Sequence, residues 1–188
     1  MKDKRGIGMK KFEEKTVQST EIFKGKVVTL TVDDVILPNG KPAKREIIHH
    51  PGAVAIIPIT KDGKIVFVEQ YRKALERTIV EIPAGKLEPG EEPAVCARRE
   101  LEEETGYGAK ELTHIQSFYT SPGFANEIIH LFVAKDLYKI EEKRELDEDE
   151  FVSIIEATLE EAEEMVKNQQ IYDTKTAFSV LWYKLNEK

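Results

Sequence analysis

The chain has 188 residues, 40% of them hydrophobic, which suits one globular domain of ordinary size with a small appended element rather than a disordered segment. Its formal charge of -7 argues against a nucleic-acid surface, because a phosphate backbone is normally met by clustered Lys and Arg. The longest apolar stretch, Ala53 to Ile59, is too short to span a bilayer, and the charged start MKDKRGIGMKKFEEK lacks an apolar signal core, so a soluble cytoplasmic protein without a membrane partner is expected.

In chain order, Phe12 to Phe23 and Lys26 to Leu37 read as strands, and Pro38-Asn39-Gly40 turns the second into a hairpin with Ala43 to His49. These three form a small N-terminal antiparallel sheet over residues 1–49, with exposed edges that call for packing on the main domain or on a second subunit. Residues 50–188 form the main domain. Ala53 to Ile59 and Ile65 to Glu69 are strands joined by the Lys61-Asp62-Gly63 turn, and Thr78 to Ile82 is another. A helix follows, with Pro93 in its first turn, Ala94, Ala97 and Leu101 as an apolar stripe, and Gly106 as its stop. Cys96, the single cysteine, cannot form an internal disulfide and reads as a small packed residue rather than a nucleophile. Leu112 to Tyr119 and Ile128 to Ala134 return to strand character, Glu141 to Glu150 is a charged loop, and Phe151 to Ile155 is a last strand. Thr158 and Glu161 form a capping box opening a helix from Leu159 to Asn168. Asp173 opens another, in which Phe178, Leu181, Trp182 and Leu185 fall on one face. The sum is an α/β or α+β sandwich, with helices covering a mixed sheet.

Chemistry concentrates in GKLEPGEEPAVCARRELEEETGY, from Gly85 to Tyr107. Glu100, Glu103 and Glu104 stand at i, i+3 and i+4, so three carboxylates emerge from one helix face and repel one another. Such a helix wants cations, and hard oxygen ligands select Mg²⁺ or Mn²⁺ over zinc. A divalent cation also lets an acidic site hold an anionic diphosphate. Arg99 precedes Glu103 by four and can orient it, and Glu91 joins the cluster from the loop before the helix. Glutamates on a helix are usually a solvated surface, but here the Gly85 turn, Arg99 and the apolar stripe coincide with them.

The spacing of Gly85, Glu91, Arg99-Glu100-Leu101, Glu103-Glu104 and Gly106-Tyr107 matches the Nudix box at every fixed position. Tyr107, where the pattern usually has an aliphatic residue, is the one mild departure and reads as a packing position. Fifteen residues on, Ser121-Pro122-Gly123-Phe124-Ala125-Asn126-Glu127 resembles the proline loop of the ADP-ribose pyrophosphatase subgroup of Nudix hydrolases. Glu69-Gln70-Tyr71-Arg72, Glu81-Ile82-Pro83-Ala84-Gly85 and the segments around Phe23 and Arg45 extend the resemblance along nearly the whole chain.

The resemblance implies a Nudix fold with Glu100 and Glu104 as ligands of two or three Mg²⁺ ions, Mn²⁺ being possible, and the carbonyl of Ala84 as a further ligand. Glu103, a further metal ligand in this implication, and Arg99 complete the catalytic helix. It further implies a homodimer that exchanges N-terminal sheets, Arg72 and the neighbour's Arg45 contacting the diphosphate or its ribose, Glu127 the terminal ribose, Phe23 the adenine, and Pro122 marking the specificity loop. Alignment makes Glu148 the general base, with Glu150 second or reaching a metal, although seven acids among residues 141–150 also suit a plain solvated loop. The implied reaction is hydrolysis of ADP-ribose to AMP and ribose 5-phosphate. The alternatives are another nucleoside-diphosphate substrate, or an ADP-ribose sensor that does not cleave; intact box glutamates and the absence of a basic module speak against the sensor.

Overall fold

A computed structural model describes residues 11–141 and 151–186, which fall into two compact units. The first comprises the chain through Pro51 together with Ser121–Glu127, and the second comprises Gly52–Thr120 and the chain from Ile128 onward.

The first unit is a three-stranded antiparallel sheet in the order β1 (Lys15–Lys24), β2 (Thr29–Ile36), β3 (Pro42–His49). The Pro38-Asn39-Gly40 turn forms as expected, with the Gly40 amide donating to the Leu37 carbonyl at 2.8 Å and Gly40 at φ 80°, which a Cβ would oppose. On β2 the side chains alternate, burying Thr31, Asp33 and Val35. Every residue of β1 is exposed, including Val17, Ile22 and Phe23. The 121–127 loop is laced to β3: the Ile48 amide donates to the Phe124 carbonyl at 2.8 Å, and the Asn126 amide returns a bond to the Ile48 carbonyl at 3.1 Å. The Asn126 side chain accepts from the His50 amide at 2.8 Å.

The second unit holds two sheets. One has the order β7 (Ala84–Lys86), β4 (Ala53–Pro58), β9 (Ile128–Lys139), β8 (Tyr107–Tyr119), with β4 parallel to β9 and the other pairs antiparallel. The other is antiparallel, in the order β10 (Val152–Ala157), β5 (Ile65–Arg72), β6 (Arg77–Glu81). All six β4 residues are buried, which explains why its sequence is a continuous apolar run instead of an alternation. Ala55 and Ile57 join Phe67, Leu131, Val180 and Tyr183 in one core, and Val54 and Ile56 join Cys96, Ala97, Leu101 and Phe132 in another. Helix α1 (Pro93–Thr105) thus contributes to one core, and α2 (Leu159–Lys167) and α3 (Thr174–Asn186) to the other. This is the mixed-sheet sandwich flanked by helices that the sequence implies. Among the described residues no helix is long and apolar enough to cross a membrane.

The helix ends follow their local signals. Pro93 starts α1, and Gly106 ends it at φ 68° with its amide donating to the Glu102 carbonyl. Thr158 and Glu161 close the capping box of α2. Three expectations need correcting. Strands β8 and β9 run further than their apolar cores suggest, β8 absorbing a bulge between His114 and Gln116. In α1, Ala94 is exposed and Cys96 takes its place in the buried stripe. In α3, the buried face is Thr176, Ser179, Val180 and Tyr183, while Leu181 and Leu185 face outward.

Candidate functional site

The buried flank of α1 carries Glu100 and Glu104, 7% and 2% exposed, on the same side as Cys96, Ala97 and Leu101. Two carboxylates one turn apart on the core side of a helix are not a solvated face, since burying a charge is costly unless something compensates it. Their surroundings supply the compensation. The Ala84 amide, on the short strand β7, donates to Glu104 Oε2 at 3.0 Å. One residue on, the Glu100 carboxylate lies directly against the Gly85 backbone, where a Cβ would stand 1.8 Å from Glu100 Cδ. Only a residue without a side chain leaves that seat open.

Arg99 ties the remaining acids together. Its Nε and Nη2 each donate to Glu91 at 3.1 Å, and its Nη1 reaches Glu100 at 2.7 Å and Glu103 at 3.0 Å. The Glu88 amide adds a bond to Glu91 Oε2 at 3.0 Å, closing the loop before α1. The Arg99 guanidinium, outweighing the effect of burial, holds the Glu91 carboxyl down to about 2. Arg99 itself is raised, chiefly by its bonds to Glu91. Cys96 is fully buried, and desolvation pushes its thiol up to about 12, with Glu91 adding to the effect; this is the inert packed cysteine expected.

Among the described residues no three of His, Cys, Asp and Glu converge as a finished cation cage; the carboxylates are spread along Arg99 and the Ala84 amide. The donor chemistry nevertheless fits a hard divalent cation. The polar groups are oxygen-rich, two carboxylates sit in a buried seat, and the Gly85 cradle presses one of them against the backbone.

A second polar cluster joins the ends of β5 and β6 to the start of α3, and of its members sequence reading gave a role only to Arg72. Glu81, at the end of β6, is 2% exposed, yet accepts from Arg72 Nε at 2.5 Å and Nη2 at 2.9 Å, and also from Lys175. Lys175 in turn donates to Asp173 Oδ1 at 3.0 Å. Burial opposes the charge on Glu81, but the two cations win and keep its carboxyl below the usual range. Glu104 contributes to the field that raises Arg72, after Glu81 itself, so this cluster and the α1 carboxylates are electrostatic neighbours. The available signal was a lone glutamate ending the apolar run Thr78 to Val80.

The Nudix domain family model matches residues 48–176, and the model for the N-terminal domain of nucleoside diphosphate sugar hydrolases matches residues 14–48. The chain belongs to the Nudix family. Its relatives include a protein of Bacillus subtilis (strain 168) named ADP-ribose pyrophosphatase, 62% identical over 95% of this chain and 97% of that one. A protein of Bacillus methanolicus named methanol dehydrogenase activator is 61% identical over 95% of this chain and 96% of its own. The fold is also that of a crystal structure of an ADP compounds hydrolase, with a TM-score of 0.81, 23% identity, and coverage of 93% of this chain and 96% of that one.

Within the Nudix domain, Ala84, Glu91, Arg99, Glu100, Glu103, Glu104 and Arg72 all belong to the second unit, and the first six form the contacts described above. Phe23, Arg45, Pro122 and Glu127 belong to the first unit. There Arg45 forks onto Glu14 at 2.6 and 2.7 Å, Glu127 stands 3.8 Å from His50, and the exposed Phe23 ring lies over Gly25. Glu148 and Glu150 lie outside the described residues. Tyr107 does more than pack: its hydroxyl donates to Glu156 at 2.7 Å, and that bond raises its pKa to about 12.

Proposed function

We propose that this Nudix enzyme hydrolyses the diphosphate linkage of ADP-ribose, releasing AMP and ribose 5-phosphate. The observation that carries the reading is the pair of buried, backbone-seated carboxylates, Glu100 on Gly85 and Glu104 on the Ala84 amide, in a chain so similar to a relative named ADP-ribose pyrophosphatase. Glu100, Glu104 and the Ala84 carbonyl hold Mg²⁺, with Mn²⁺ as a substitute and two or three ions in all. Held there, the cation would supply charge neutralisation at the attacked phosphoryl group and a lowered pKa for a bound water. Arg99 holds Glu103 and Glu100 in place through its Nη1 bonds. Arg72 binds the diphosphate, and Glu148 removes the proton from the attacking water, with Glu150 as the second candidate for the base or a further metal ligand. The Pro122 loop and Glu127 select the terminal ribose.

The working form in this reading is a cytoplasmic homodimer. A ten-residue strand with every side chain exposed, carrying Val17, Ile22 and Phe23 at a sheet edge, invites pairing with a second copy, through which Arg45 and Phe23 reach the neighbouring site.

The test is product analysis on a panel of ADP-ribose, GDP-mannose, NAD⁺ and oxidised nucleotides with Mg²⁺, together with a coupled alcohol dehydrogenase assay prompted by the Bacillus methanolicus relative. ADP-ribose should give the highest kcat/KM with AMP and ribose 5-phosphate as products. Better turnover of another substrate moves the assignment within the family, and binding without turnover establishes a sensor. Glu148→Gln should lower kcat by at least about 100-fold with the fold intact; activity within a few-fold of the parent removes Glu148 as the base.

A further inference from the structure

The chain Arg72–Glu81–Lys175–Asp173 carries more cation than the buried carboxylate needs. Glu81 already has a complete partner in Arg72, whose Nε and Nη2 meet both of its oxygens in a planar fork. A second cation, Lys175, shares Oε2 of the same carboxylate from a side chain only 11% exposed. Lys175 is anchored by Asp173, which also caps α3 by accepting from the Thr176 amide at 3.2 Å. The four side chains therefore form an alternating ladder rooted in the start of a helix. Exposure rises at its other end, where the Arg72 side chain is 41% exposed.

Arg72 is the rung that opens to solvent, and the fork to Glu81 uses its Nε–Nη2 edge. A guanidinium paired one-to-one with a carboxylate is well oriented but largely neutralised, and so is a poor anion receptor. With Lys175 taking up part of the Glu81 charge, Arg72 keeps both its orientation and its positive field. We propose that Glu81 and Lys175 are positioning residues for Arg72: Glu81 sets the plane of the guanidinium, and Lys175 shares the Glu81 charge so that the remaining edge of Arg72 stays receptive to a substrate diphosphate. This rests on the reading above that Arg72 binds that diphosphate.

The test is a double-mutant cycle on the full-length protein with ADP-ribose and saturating Mg²⁺, each variant checked by thermal unfolding. Lys175→Gln should raise KM roughly tenfold with kcat nearly unchanged, and Lys175→Arg should restore KM. Arg72→Ala should raise KM at least as much, and adding Lys175→Gln to it should change KM little further. Effects that multiply in the double variant, or a Lys175→Gln KM equal to the parent's, overturn the positioning role while leaving Arg72 as a diphosphate ligand. An Arg72→Ala variant with the parent KM overturns both. Should Lys175→Gln fail to fold, Lys175→Met, of similar length and without charge, gives the same comparison.

Discussion

Replacing Gly85 by alanine tests the central geometry with a single methyl group. The built Cβ would stand 1.8 Å from Glu100 Cδ and 1.9 Å from Oε1, whereas ordinary contact begins at 3.4 Å, so the carboxylate must retreat by about 1.6 Å (3.4 − 1.8). That shift exceeds the roughly 1 Å misplacement that can cost about 100-fold in rate. It also pulls Glu100 off the Arg99 Nη1 that it meets at 2.7 Å. The backbone offers no compensating strain, because Gly85 is not among the glycines with positive φ, and alanine there recovers about 0.4–1 kcal/mol through the unfolded chain. Against this stands about 1–3 kcal/mol for a displaced, partly unsatisfied buried carboxylate. The expected outcome is therefore lopsided: stability falls by no more than about 2.6 kcal/mol, while kcat/KM falls by about 100-fold or more. Urea unfolding reads the first and ADP-ribose hydrolysis across an Mg²⁺ titration the second. Mn²⁺ binding followed by electron paramagnetic resonance reads the seat without turnover, and should weaken by about 10- to 100-fold. A folded Gly85→Ala protein that binds Mn²⁺ and turns over like the parent would refute the placement of the cation at Glu100.

Two further outcomes follow from the groups packed around that seat. With its pKa at about 12 and no exposed surface, the Cys96 thiol should resist a disulfide reagent at pH 8 in the native protein and react fully once urea unfolds it; rapid native labelling would contradict its burial. Glu91, held at about 2 against an ordinary 4.5, contributes stability that is complete above pH 4.5 and is lost as pH falls through 2. Glu91→Gln should accordingly be less stable than the parent at pH 7, by a margin that shrinks below pH 4.5 and vanishes near pH 2; urea melts showing a constant margin down to pH 2 would exclude the Arg99 pairing as its source.

The parts of this protein that were legible in its sequence are those in which a few neighbouring residues decide the outcome. The Gly106 stop, the Thr158 capping box, the double-sided burial of Ala53–Pro58 and the pairing of Arg99 with Glu103 each depend on residues within one or two turns or one strand. The Gly85–Glu100 seat joins residues fifteen positions apart, and only the family spacing pointed to it. Glu81 and Lys175 lie 94 residues apart, and nothing local to either announces the other.

Helix α3 shows why hydrophobic pattern alone misreads such a region. Its four large apolar residues at helical spacing suggest the core face, yet the residues fully buried are Thr176, Ser179, Val180 and Tyr183, while Trp182 packs on the core only in part and Leu181 and Leu185 face outward. The reason is a set of directed bonds. Thr176 accepts from the Ile82 amide at 3.1 Å and Tyr183 donates to the Gly63 carbonyl at 2.6 Å, while Ser179 satisfies its hydroxyl inside the helix, on the Lys175 carbonyl at 2.8 Å. A backbone amide at the end of β6 would otherwise be buried without a partner, a cost comparable to the transfer energy of a small apolar side chain. The helix therefore docks by its hydroxyl face, and that docking is what delivers Lys175 to Glu81, one residue before Ile82. The polar stripe that looks like surface is the mechanical link between α3 and the strand carrying Glu81, so the orientation of the helix and the proposed orientation of Arg72 have a common physical origin.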